Sequence, residues 1–184
     1  MTQMWRLLTA NADIMIRTLL LLFAFSYFTT EAAKFGTVSL AATHIVLQIM
    51  AFTAFFLDGF AYVAESQVGR SYGARNPQAF KLALHRTTVL AAGTAVILAV
   101  AIMFFGEMLV AVLTDLDEVI VASLALLHIC AVYVIASFPA FQLDGVFIGT
   151  SRTKEMRNAS FVSLLVFLLA VRVLTETHAL AGLW

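Results

Sequence analysis

Long apolar runs broken by short polar clusters dominate the chain. They cover about residues 13–33, 38–64, 86–105, 118–149 and 158–175. A helix needs roughly 20 apolar residues to cross the hydrocarbon core of a bilayer, and each run meets or approaches that length. Lipid offers backbone groups no water, so a spanning segment must be a helix or part of a closed barrel. The weak ten-residue alternation of barrel strands is absent. The pattern predicts an all-α, polytopic integral membrane helix bundle of about five spans, forming a single membrane domain over residues 1–184. A sixth apolar segment begins at Ala179-Leu180-Ala181-Gly182-Leu183-Trp184; a span that starts where the chain stops reads as truncation.

The first run is too long for a signal-peptide core and lacks an A-x-A cleavage site, so it is expected to be a retained helix. The polar clusters then set an orientation. Arg70, Arg75, Lys81 and Arg86 separate the second and third runs, and Arg152, Lys154 and Arg157 separate the fourth and fifth. The connection after the third run carries Glu107, Asp115, Asp117 and Glu118 without Lys or Arg. Lys and Arg favour the cytoplasmic side, which predicts a cytoplasmic N-terminus, cytoplasmic loops at 67–85 and 150–157, and outward turns at 34–37 and 106–117. Thr114 and Asp117 have the spacing of a capping box for the fourth helix. Gly106–Leu113 suits a short interfacial stretch, and Gly69 and Gly73 suit turn chemistry. Pro139 inside the fourth run removes a helical hydrogen bond and predicts a kink.

Composition strengthens the membrane assignment and removes alternatives. Apolar residues make up 62% of the chain and charged residues 12%, against about half and a quarter in an ordinary globular domain. Net charge is zero, so no basic field points to nucleic acid. Cys130 is the single cysteine and lies in an apolar run, which leaves helix packing as its role. There is no H-E-x-x-H, G-x-S-x-G or G-x-x-x-x-G-K-[ST] pattern and no metal-ligand spacing. The chain is read as a non-enzyme with no metal site and no cofactor, and its surroundings as the lipid bilayer.

Against this background two carboxylates stand out. Leu57-Asp58-Gly59 and Leu143-Asp144-Gly145 repeat one motif in the second and fourth runs, each ahead of a basic loop, with Arg75-Asn76 and Arg157-Asn158 as a downstream echo. A charge inside the bilayer costs at least about 2.5 kcal/mol and needs a partner, a proton or a wet cavity. Along a helix Asp144 lies roughly 12 Å from Arg152 and Asp58 about 18 Å from Arg70. Both are candidates for a proton or cation site; the alternative is a buried hydrogen bond that fixes packing. Tyr27, Gln48 and Gln142 are candidates for lining a cavity, with Ser26, Thr29 and Thr30 as further polar positions that equally suit interhelical hydrogen bonding. Glu65 is expected to pair with Arg70, and Arg17 to snorkel towards headgroups. His44 and His128 are expected to be packed and neutral.

Three patches resemble one family. They are Asn11-Ala12-Asp13-Ile14-Met15-Ile16-Arg17-Thr18, the run from Leu57-Asp58-Gly59-Phe60-Ala61 to Val68-Gly69-Arg70-Ser71-Tyr72-Gly73-Ala74-Arg75, and Phe141–Asn158. Together they resemble the multidrug and toxic compound extrusion (MATE) transporters, in the DinF-like branch. That resemblance implies twelve helices in two six-helix lobes, of which this chain would supply helices seven to eleven and the edge of twelve: a partial MATE-type lobe. It implies secondary active, ion-coupled antiport of xenobiotics or of cationic and hydrophobic small molecules by alternating access, with a proton or sodium as coupling ion, in a bacterial inner membrane. The partner would be a first lobe from the same gene or a separate chain. Asp144 matches an aspartate of the tenth helix that contributes to a cation site in sodium-linked members. The acidic partner of that site in the seventh helix has no match, because Glu31 lies at the outer end. A lipid-linked precursor flippase of the same superfamily and a non-transporting fragment are the alternatives.

Overall fold

The computed structural model describes residues 2–178 and 183–184. Five helices follow one another: α1 (Thr2–Ala33), α2 (Thr37–Gly73), α3 (Pro77–Leu113), α4 (Asp117–Gly149) and α5 (Thr153–His178). All five contain a stretch long and apolar enough to cross a membrane. The predicted sixth segment lies mostly outside the described residues; of it, Leu183 is buried and the Trp184 ring meets Phe28 edge-on at 5.0 Å.

The helices outrun the apolar runs that announced them. At 37 residues, α2 and α3 each extend roughly 55 Å at 1.5 Å per residue, well beyond a hydrocarbon core of about 30 Å. Hydropathy marks only the segment in lipid, whereas the helix continues into the headgroups wherever its backbone can hydrogen-bond to itself. The expected loops therefore shrink. Gly106–Leu113 is the last two turns of α3, with Gly106 and Val110 buried, and not a separate interfacial stretch. The 67–85 loop reduces to a turn around Ala74–Asn76, and 150–157 to one around Thr150–Arg152.

Those two turns share one geometry. After α2, Asn76 N–H donates to Ser71 O and Arg75 N–H to Tyr72 O; after α4, Arg152 N–H donates to Phe147 O and Ser151 N–H to Ile148 O. Arg75 (φ 52°) and Ser151 (φ 57°) are left-handed, the C-terminal arrangement that glycine usually supplies. The structural echo thus aligns Arg75 with Ser151. Arg157-Asn158, the echo expected from sequence, lies inside α5. Asn76 caps α3 by accepting from Ala79 N–H at 3.0 Å, with Pro77 opening the helix. The capping box proposed for α4 does not form: its N-cap is Leu116, and Thr114 Oγ1 accepts from Leu116 N–H at 3.3 Å.

Packing divides the bundle into a trio and a pair. Helices α2, α3 and α4 enclose the main core around Val46, Leu57, Ala95, Cys130 and Val134. Small residues make the approach possible, as is usual where lipid supplies no hydrophobic drive between helices. Ala83, Ala91, Ala95 and Ala99 form the buried stripe of α3. Between α2 and α4 the contact is backbone to backbone: a Cβ on Gly149 would sit 2.5 Å from Glu65 O, and one on Gly69 2.9 Å from Gly149 O. Gly69 is therefore a packing residue within α2, not turn chemistry, while Gly73 at the helix end faces open space.

Helix α1 packs chiefly on α5, and polar and apolar braces at opposite ends hold that pair. Asp13, buried to 4% exposure, accepts from Arg157 Nη1 at 2.6 Å and from Thr153 Oγ1 at 3.0 Å. Towards the other end Tyr27 meets Phe167 edge-on at 6.4 Å, and Ala32, Val171 and Leu183 form a second apolar cluster. Much of the remaining apolar surface faces outward, with Phe104 79% and Val112 75% exposed, as suits contact with acyl chains.

Candidate functional site

The seam between the α1–α5 pair and the α2–α4 trio is hollow. A cavity of about 600 Å³ opens between α1, α2 and α4, and one of about 440 Å³ between α1, α4 and α5. Arg17 and Asp144 border both. Arg17 Nη2 donates to Asp144 Oδ2, forming an ion pair whose side chains are only 21% and 26% exposed. The pair is thus both a tie across the seam and the wall between two cavities. A wider depression of about 660 Å³ lies at the α2–α3 turn, lined by Tyr72, Arg75 and Phe80 among others; it is far from the paired charges in the fold and holds no carboxylate.

Asp58 of α2 lines the larger cavity with that pair and lies within Coulombic reach of Arg17. Among the described residues it has neither an ion-pair nor a hydrogen-bond partner. The repeated motif explains how the two aspartates converge although their neighbours do not. In α2 Leu57 is buried and Gly59 exposed; in α4 Gly145 is buried and Leu143 is 49% exposed. Leu57 of α2 points into the core of the trio and Gly145 of α4 seats against the main chain of Ala61 in α2. The intervening aspartates are left on the same open side, facing α1.

The cavity is otherwise apolar and aromatic, with Phe25, Phe55, Tyr133 and Phe141 around Met50. Three charged groups meet there: one guanidinium and two carboxylates. With all three ionised the sum is one negative charge. Such a site can hold a single cation, or take up one proton and become neutral. Among the described residues no group of three or more His, Cys, Asp or Glu could hold a metal ion.

The other candidates lie elsewhere. Gln142 is buried at 3% exposure and donates from Nε2 to Thr87 Oγ1 at 2.6 Å, joining α4 to α3. Gln48 sits with His44 and Leu113 on a shallow depression outside the seam. Tyr27 stacks near Phe23 and against Phe167. Thr29 and Thr30 return their hydroxyls to Phe25 O and Ser26 O of their own helix. His44 and His128 are exposed on this bundle rather than packed. Glu65 and Arg70 do not pair: both lie within α2, where side chains meet at spacings of three and four and not of five. Arg17, expected at the headgroups, instead pairs with Asp144. The available signal was charge matching, since one deep cation accompanied two deep acids.

The sequence profile of the MatE family matches residues 14–174. The chain belongs to the MatE family. It is also 34% identical over 178 residues to the DNA damage-inducible protein F of Escherichia coli (strain K12). That match covers 95% of this chain and 39% of the relative, so the chain spans well under half the length of the protein it resembles. The matched residues include Arg17, Asp58 and Asp144, and both cavities therefore lie within the family region.

Proposed function

We propose that residues 1–184 form one lobe of a secondary active, ion-coupled antiporter that exports cationic or hydrophobic small molecules across a bacterial inner membrane. The observation that carries this reading is the meeting of Asp58, Asp144 and Arg17 in one cavity between membrane-spanning helices. Intramembrane ionisable groups that face a cavity are the usual marks of a proton or ion pathway. An aromatic lining suits a bulky organic substrate, and a cation above aromatic faces gains a further attraction. The N-terminus and the two basic turns face the cytoplasm in this reading, as their Lys and Arg content favours.

Alternating access requires two halves that rock about a central site, so the chain acts with a first lobe, and its coupling ion is a proton or sodium. Export of lipid-linked precursors is less well supported, because Arg17 is already engaged by Asp144 and, among the described residues, the cavity has no other cation for a phosphate group. The test is a chimera in which this chain replaces the matching segment of the E. coli relative. In proteoliposomes it should expel a fluorescent organic cation against an imposed proton or sodium gradient. A chimera that inserts in full yet gives no gradient-dependent efflux would contradict the reading.

A further inference from the structure

The two carboxylates of the cavity are not equivalent, because only one of them has a partner. Asp144 holds Arg17, whereas Asp58 has none among the described residues although it lines the same space. Arg17 is within electrostatic reach of both. Its guanidinium is charged at any physiological pH, and its long side chain can pivot without moving the helix. We propose that Arg17 is a specificity and coupling residue that exchanges between the two aspartates: held by Asp144 it leaves Asp58 free to bind an organic monocation, and released when Asp144 is protonated it takes Asp58 and expels that cation.

This rests on the transport reading and adds how one lobe could make a proton and a substrate mutually exclusive. The chemistry balances simply. Asp144 gains a proton from water and becomes a neutral acid, the arginine keeps its charge, and the ion pair moves from Asp144 to Asp58. The three groups go from one negative charge to none, and the site as a whole stays neutral, because the arriving proton replaces the departing cation. A buried charge left unpaired is costly, so Arg17 follows whichever carboxylate is ionised and unoccupied.

The helices packed around Arg17 offer it few competing partners. From α2 the titratable group is Asp58, and from α4 they are Asp144 and Tyr133. From α5 the residues facing Arg17 across the smaller cavity include Ser160, Ser163 and Met156, and none that line it is charged. Among the described residues no titratable side chain but Tyr133 joins Arg17, Asp58 and Asp144 in lining either space, so a move away from Asp144 has one charged destination. The same counting sets the ligand class. One spare carboxylate among Phe25, Phe55, Phe141 and Met50 suits a single positive charge on an apolar body, and leaves a second charge uncompensated.

The experiment is equilibrium binding of tetraphenylphosphonium to the chain in lipid nanodiscs at neutral pH, which needs neither a gradient nor a first lobe. Asp58→Asn should weaken binding by about tenfold or more, the loss of one close charge partner. Asp144→Asn, which keeps every cavity atom near its place but imitates the protonated acid, should weaken it comparably, because Arg17 then occupies Asp58. The double variant Arg17→Gln with Asp144→Asn should recover affinity to within about threefold of the parent, since Asp58 is free again. Arg17→Gln alone should also bind, which keeps the test open if Asp144→Asn does not fold. Parent-like binding in Asp144→Asn, no recovery in the double variant, or no binding by the parent chain would each overturn the proposal. Binding with this pattern but no efflux from the chimera would count against the transport reading alone.

Discussion

Gly145 of α4 lies directly against the main-chain carbonyl of Ala61 in α2, leaving no room for even a Cβ. The neighbouring Asp144 is aimed at α1 by that contact, since a helix seated on Gly145 must present residue 144 to one side of the seam. Packing and site geometry are thus one feature.

Gly145→Ala should force α2 and α4 apart and destabilise the bundle by about 1–3 kcal/mol, the usual cost of overpacking. Gly59→Ala is the comparison, because a Cβ there meets nothing within 4 Å, and a helical alanine should be neutral or favourable by up to about 1 kcal/mol. Unfolding in mixed micelles by added denaturing detergent measures both. Equal effects at the two glycines would contradict the packing account.

The left-handed turn residues give a prediction of opposite sign. Arg75 and Ser151 hold φ values of 52° and 57°, where a Cβ is disfavoured by about 1–2 kcal/mol. Ser151→Gly should therefore stabilise the α4–α5 connection by about 0.5–1 kcal/mol, less than that penalty because glycine also loosens the unfolded chain. A lower unfolding midpoint in this variant would count against the turn geometry.

The brace between α1 and α5 should be separable from the rest. Asp13→Asn leaves Arg157 without its anionic partner and Thr153 with a weaker acceptor, a loss of about 1–3 kcal/mol for a partly exposed cation. Hydrogen exchange should rise in α1 and α5 first, while the core around Leu57, Cys130 and Val134 stays protected. Uniform loss of protection across all five helices would show that the pair and the trio are not distinct.

The orientation proposed from loop charge can be checked by cysteine accessibility in a Cys130→Ala background. Ala74→Cys and Lys154→Cys should react only from the cytoplasmic side, and Asp115→Cys only from outside. Labelling at position 74 leaves the Asn76 cap of α3 intact. Labelling of position 74 in intact cells by an impermeant reagent would reverse the orientation.

Much of this architecture was legible because lipid imposes it. Five apolar runs became five helices, and the turns fell at the basic and acidic clusters. Hydropathy misplaces helix ends where polar residues such as Gln67 and Arg70 continue a helix beyond the hydrocarbon. The two aspartates were visible because charge in an apolar run is conspicuous. Their meeting with Arg17 was not, since it depends on how α1 leans on the α2–α4 seam, which is set by contacts far apart in sequence. Gln142 and Tyr27 show the converse: a polar group on a helix can face a neighbouring helix as easily as a cavity, and periodicity alone does not tell them apart.

The central claim is that the Arg17, Asp58 and Asp144 cluster couples an ion to substrate movement, and it is tested most directly by efflux from the chimera as the imposed proton gradient is varied. Asp144→Asn should insert normally but slow gradient-driven efflux of a fluorescent monocation by about tenfold or more, as expected when a step loses roughly 1.4 kcal/mol or more of driving interaction. Asp144→Glu, which keeps the carboxyl group, should retain part of the rate. Parent-like rates and an unchanged gradient dependence in both Asp144→Asn and Asp58→Asn would contradict the claim and return the two carboxylates to a purely packing role.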